Sequence, residues 1–156
     1  MSFDQLLPVG DLPPNSRRCM LLPSSGRSVL LVHHSETIYC IDQACYHHGG
    51  PLATGDIEEI GNKIAIKCPW HNYIIALENG EGLYMGLDIG NMTQPVLKSK
   101  GIKQRTHEVK IEDGYIYVRD SSLDSDITIG SDTYAFKKQI IPKAGNGLIK
   151  LHSKML

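Results

Sequence analysis

Apolar residues along this 156-residue chain gather in short runs broken by Gly, Pro, Asn and Asp, and no stretch keeps a long helical period. Val29–His33 and Thr37–Ile41 flank a Ser-Glu turn and predict a hairpin. Lys63-Ile64-Ala65-Ile66-Lys67 follows Gly61-Asn62 and predicts a strand, as does Tyr73–Leu77 before the turn-rich Glu78-Asn79-Gly80-Glu81-Gly82. Glu108–Glu112 and Tyr115–Val118 flank Asp113-Gly114, the strongest local hairpin signal in the sequence. Residues 51–60 offer the one weak helical piece, worth a turn or so. The pattern is all-β, a small barrel or sandwich.

Composition narrows the partners. A net charge of −1 and a pI near 6.6 give no global attraction to nucleic acid or to acidic membranes. A chain of this length buries roughly two thirds of its unfolded surface as one domain. The N-terminal residues lack a basic region, an apolar core and the Arg content of a presequence, and no apolar run is long enough to cross a bilayer. The expectation is a cytoplasmic protein with no membrane insertion. Cys19 and Cys40 lie in β-rich runs and are expected as small buried hydrophobes, not as a disulfide.

The last part of the chain differs from the rest. Arg119–Asp132 carries four Asp against one Arg, and Thr133–Leu156 carries five Lys and no acid. Residues 119–156 are expected as a partly ordered C-terminal extension, with a regulatory or docking arm as the alternative, and Ile127-Thr128-Ile129 and Leu148–Leu151 are able to add edge strands.

Chemistry concentrates in two clamps, Cys45-Tyr46-His47 and Cys68-Pro69-Trp70-His71, separated by twenty residues. Each offers one thiolate and one imidazole. Zinc also accepts two Cys and two His, but its structural sites usually pair Cys with Cys and His with His at wider spacing. Mixed clamps suit a [2Fe–2S] centre in which two His replace two Cys on one iron. Cys45 and Cys68 are then expected on a buried iron, with His47 and His71 on the iron nearer solvent. Exchanging two thiolates for neutral imidazoles leaves the oxidised centre formally neutral, so an electron is accepted at about −150 to +300 mV, not about −400 mV. Gly49-Gly50-Pro51 lets the first loop turn tightly, and Pro69 stiffens the second.

At these residues, together with Gly26–Val32 and Ile38–Asp42, the chain resembles the soluble Rieske-type ferredoxins over residues 8–118 or so. Glu81-Gly82-Leu83-Tyr84 and Lys100–Arg105 narrow the likeness to the animal branch. The resemblance implies a β-sandwich or barrel base (residues 1–42 and 91–118) with a cluster-binding subdomain inserted at about 43–90. It carries the ligand roles onto Cys45, His47, Cys68 and His71. Respiratory and photosynthetic relatives have an extra disulfide across the cluster, at positions matching Gly50 and Trp70. They also place Ser and Tyr hydroxyls near the cluster sulfur, at positions matching Tyr73 and Ile75. Fewer donors imply a potential at the low end of the range.

Other candidates have plainer readings. His48 is expected as an exposed bystander and Trp70 as a shield over the cluster. Tyr46, Pro51, Leu52 and Pro69 are expected as an apolar rim, and His33, His34, His107 and His152 as ordinary surface or hydrogen-bonded residues. An oxygenase in one chain needs a two-His, one-carboxylate iron site, for which the forty or so residues after the Rieske segment leave no room. The function expected is a one-electron carrier, not an enzyme. It would act as a monomer between a flavin-containing reductase and an oxygenase or other acceptor. A redox or iron sensor and a structural zinc domain are the alternatives.

Overall fold

Val29-Leu30-Leu31-Val32 is an unbroken apolar run with β-branched ends, buried on both faces, and it forms the middle of a strand. In the computed structural model, which describes residues 2–136, this strand is β3 (Ser28–His34). It lies between β2 (Ser16–Leu21) and β4 (Thr37–Asp42), with Ser35 in the left-handed region at the turn. A second three-stranded sheet sets β1 (Asp4–Pro8) and β10 (Glu108–Glu112) on either side of β11 (Tyr115–Arg119). Its tight turn holds Asp113 at φ 50° and Gly114 at φ 78°, the double positive φ that Asp-Gly supplies.

The third sheet has five antiparallel strands in chain order: β5 (Asp56–Ile60), β6 (Lys63–Lys67), β7 (Ile74–Ala76), β8 (Glu81–Asp88) and β9 (Asn91–Ile102). Both of its faces are used. Ile66 and Ile75 join the main core with Leu30, Ile41, Leu52, Ile116 and both clamp cysteines, while Ala65, Ala76 and Leu83 form a smaller cluster behind them. The all-β expectation holds, and so do the strands and hairpins read from the pattern. The weak helical piece holds as a single turn, Leu52–Thr54, and the rest of that stretch, 56–60, pairs with β6 because a partner edge outweighs local propensity.

Cys19 and Cys40 are buried thiols without a disulfide, as expected. No strand forms at Ile127–Ile129. Arg105 donates to the Ile127 carbonyl (2.8 Å), and the Ile129 N–H donates to Asp132 (2.9 Å), so side chains claim the backbone groups a ladder would need. Leu148–Leu151 and His152 lie outside the described residues.

Residues 120–135 are instead stitched to the body by buried charge. Arg27 grips Asp42 with two hydrogen bonds (2.7 and 2.6 Å) and also reaches Asp132. Arg105 takes both oxygens of Asp132 (2.7 and 2.8 Å), and the Ser131 hydroxyl donates to Asp42 (2.6 Å). The Ser121 N–H donates to His107 Nδ1 (3.1 Å), so the other ring nitrogen, Nε2, is the one that donates to Asp42 (2.9 Å). His107 is thus a hydrogen-bonded core histidine. Asp42, the hub of this network, leads directly into the first clamp.

Candidate metal centre

The two clamps share one backbone design. Cys45 N–H donates to the carbonyl of Gly50 (2.9 Å) and Cys68 N–H to that of Tyr73 (2.8 Å), five residues on in each loop. Gly49 N–H returns to the Cys45 carbonyl (2.7 Å), and Asn72 N–H to the Cys68 carbonyl (2.9 Å). The residue four after each cysteine adopts a left-handed conformation, Gly49 at φ 75° and Asn72 at φ 59°, a shape that Gly and Asn tolerate. The backbone N–H groups of His47 and His48 point to the Cys45 sulfur, and those of Trp70 and His71 to the Cys68 sulfur.

Both cysteines are buried, and their thiols share a hydrogen bond. That bond, against the opposing effect of burial, pushes the Cys68 thiol down to about 6. The same bond, with burial, pushes Cys45 upward. The pair accepts one negative charge readily and a second only beside a cation. Two buried sulfurs side by side suit a metal cation, and the two-Cys, two-His donor set fits the mixed-ligand cluster.

His47 is half-buried and His71 exposed, with ring centroids 5.0 Å apart. The imidazole of His47 is held below its ordinary value by lost hydration first, then by His48, His71 and Lys100. Tyr73 stacks on His47 at 3.8 Å and 11°. His48 stacks on His47 from its own loop at 3.9 Å and 10°. Nitrogen atoms of His47, His48 and His71 all lie within 4.8 Å of one another, so His48 is exposed but not remote from the site.

Space at the site is tight. A Cβ on Gly50 would lie 2.6 Å from the Cys68 sulfur and 3.1–3.2 Å from the Trp70 ring. Positions 50 and 70 therefore face each other, with glycine and indole where some relatives bridge. Trp70 covers Gly50 but stays 51% exposed, a partial shield. The expected apolar rim needs one correction: Leu52 is fully buried in the core, because the helical turn 52–54 folds it inward. Tyr46 and Pro51 are half-buried and Pro69 is exposed.

Gln104 is a functional residue that the sequence reading missed. Its fully buried amide donates to the carbonyls of Asp42 (2.9 Å) and Ala44 (2.8 Å) and accepts from Tyr46 N–H (2.9 Å), bracketing Cys45. Gly80 lets the Gln104 backbone approach, since a Cβ there would sit 1.9 Å from its carbonyl oxygen. Lys100 was missed as well. Its ammonium lies over Tyr73 (4.3 Å), Tyr84 (5.8 Å) and Tyr46 (6.0 Å). Both residues fall in the Lys100–Arg105 stretch that carried part of the family likeness, and that stretch was the signal available. From the C-terminal side, Tyr134 donates to the His47 carbonyl (3.4 Å).

A family model described as soluble Rieske-type ferredoxin matches residues 14–123. The chain belongs to this family. A human protein named Rieske domain-containing protein is 45% identical over 93 residues, which is 59% of each chain, so this chain spans about three fifths of that relative. Among solved structures, the ferredoxin of carbazole 1,9a-dioxygenase from Nocardioides aromaticivorans IC177 aligns with a TM-score of 0.57 at 17% identity. That alignment covers 76% of this chain and 97% of the other. The terminal oxygenase of carbazole 1,9a-dioxygenase from Novosphingobium sp. KA1 aligns with a TM-score of 0.54 at 22% identity, over 74% of this chain but 29% of the oxygenase. At these identities the structural matches establish the fold, a Rieske-type one. No helix among the described residues is long and apolar enough to cross a membrane.

Proposed function

We propose that this Rieske-type chain is a one-electron carrier, holding a single [2Fe–2S] cluster on Cys45, His47, Cys68 and His71. The observation that carries this reading is the paired design of the loops: two buried sulfurs in contact beneath two imidazoles that reach solvent. When bound, the cluster supplies a site that takes up and gives back one electron. Cys45 and Cys68 anchor it in the core, and their four backbone N–H donors stabilise charge on sulfur. His47 and His71 form the exposed edge through which a partner is reached. Gln104 and the Asp42 network fix the first loop, and Trp70 with the half-buried Pro51 limits water.

The cluster-binding subdomain is placed at about 43–90 within a Rieske domain of residues 1–118, with 119–156 as a C-terminal extension. Among the described residues no second catalytic constellation accompanies the clamps, and the match to the terminal oxygenase covers 29% of that protein. We therefore read a carrier and not an enzyme. It works as a cytoplasmic monomer, receiving electrons from a flavin-containing reductase and passing them to an oxygenase or other acceptor. The ferredoxin of a dioxygenase among the structural matches supports that acceptor class. Ile75 offers no hydroxyl and the Tyr73 ring is committed to His47, which favours a low potential, at roughly −150 mV.

EPR of the purified protein after dithionite reduction, with metal analysis on the same sample, tests the reading. A rhombic signal of low average g with two irons per chain is expected. One zinc per chain and no signal would replace the carrier with a structural metal domain.

A further inference from the structure

Lys100 occupies an unusual place on β9. Glu81 pairs with Ile102 and Leu83 with Ser99, so β9 carries one residue more than β8 across this interval, a β-bulge with Gly101 at φ 85°. A bulge re-aims the side chain beside it. Here it sends the Lys100 ammonium into a cage of three tyrosines, 4.3 Å above the Tyr73 ring and 3.4 Å from the Tyr46 hydroxyl, with Tyr84 as the third wall. Aromatic faces attract a cation at these distances. Among the described residues no carboxylate pairs with Lys100. The cage is built against the site itself, because the Tyr73 ring that carries the ammonium also stacks on His47.

We infer that Lys100 is a potential-setting residue, a fixed positive charge one aromatic ring away from His47 that favours the reduced cluster. This deepens the carrier reading and rests on His47 being a ligand. Reduction adds a negative charge to the centre, and a nearby cation held in place stabilises that charge more than the oxidised form. The missing hydroxyl donor at Ile75, with the Tyr73 ring stacked on His47, acts in the opposite direction. The cage therefore offsets part of a deficit that the family comparison alone would leave uncorrected. The three tyrosines do for Lys100 what a counter-ion usually does, holding the ammonium without cancelling its charge.

The test is redox titration of the cluster-loaded protein against a dye of fixed potential, with EPR recorded on every variant. Lys100→Met keeps the stem and removes the charge, and the one-electron reduction equilibrium is expected to fall about tenfold, or about 59 mV. Lys100→Arg should restore it to within about twofold of the unaltered protein, and Lys100→Glu should lower it by more than Lys100→Met does. Tyr84→Leu opens the cage at the wall supplied by β8, outside the two clamp loops, and should give a smaller fall in the same direction. A Lys100→Met protein with an intact rhombic signal and an unchanged equilibrium overturns the inference while leaving the carrier standing. Loss of the rhombic signal from the unaltered protein overturns the carrier reading first.

Discussion

Gln104 gives the sharpest quantitative test of how the first clamp is held. Its amide makes three hydrogen bonds of 2.8–2.9 Å to the backbone of residues 42, 44 and 46, with no exposure to solvent. Replacement by Ala removes all three and leaves two carbonyls and one N–H without that partner, each costing about 1 kcal/mol or more where water cannot enter. The expected loss is about 3–5 kcal/mol, a large share of the roughly 5–15 kcal/mol that holds a domain of this size. Urea denaturation of the loaded protein measures it, followed in parallel by far-ultraviolet circular dichroism and by visible absorbance of the cluster. The visible signal should fade before the β signal in Gln104→Ala, because Cys45 lies inside the bracketed stretch. Gln104→Glu, nearly the same shape, aims an acceptor at two carbonyl oxygens and should be no better tolerated. An Ala variant within about 1 kcal/mol of the parent, with both signals lost together, would refute the claim that this amide positions the loop.

Three further outcomes follow from the geometry. Cys45→Ser or Cys68→Ser should abolish cluster assembly, and single replacement of His47 or His71 should destroy the Rieske EPR spectrum even where some iron stays bound; iron analysis paired with EPR checks each. Gly50→Ala forces a Cβ to within 2.6 Å of the Cys68 sulfur, an overlap costing about 1–3 kcal/mol in a site with no slack, and should lower cluster occupancy while circular dichroism stays unchanged. Acid should weaken the fold through Asp42, Asp120 and Asp132. Burial alone would raise all three, but hydrogen bonds from Arg27 and His107, from Ser122 and Ser25, and from Arg105 hold them below the ordinary carboxylate range. Each carboxylate contributes in full above its unfolded value, near 4, and loses that contribution as pH falls through the lower folded value. Their share of the stability should therefore be flat from pH 7 to about 5 and drop below about 4, and Asp132→Asn should shrink that drop.

What could be read in advance was what a few local residues decide. The strands of β3, β4 and β6 follow from β-branched runs, and the β10–β11 hairpin follows from Asp113-Gly114, because each signal lies within ten residues of the structure it makes. The clamps were visible for the same reason, since each loop supplies both of its candidate ligands. Gln104 and Lys100 were not, because a glutamine and a lysine carry no chemistry until the fold sets them beside positions 42–46 and 73. Residues 56–60 looked weakly helical because their partner strand, and not their composition, makes them β. The Arg27–Asp42–Asp132 network spans 105 positions in sequence, and charged residues at that separation look like solvated surface until burial is known.

The matched backbone of the two clamps sharpens the assignment of the histidines. Counting from each cysteine, His48 and His71 occupy the same place, three residues on, while His47 corresponds to Trp70. Two identical loops related by a twofold axis would offer like positions as like ligands, which on symmetry alone favours His48 over His47. Burial argues the other way. His47 is half-buried between Tyr73 and His48, each stacked on it within 4 Å, whereas His48 is exposed. A ligand needs a ring fixed by its surroundings, and His47 is stacked between rings of both loops, Tyr73 at 3.8 Å and His48 at 3.9 Å, whereas His48 meets the facing loop only edge-on, at His71 (5.3 Å). The departure from symmetry is thus consistent with the first loop ending in Gly49-Gly50, where the second has Asn72-Tyr73. Gly50 leaves room for the Cys68 sulfur and Trp70, while Tyr73 fills the equivalent space with the ring that fixes His47. One imidazole is set by the tyrosine of the opposite loop, and the same tyrosine carries the Lys100 cation. The orientation of the candidate ligand and the charge beside it therefore share a single side chain.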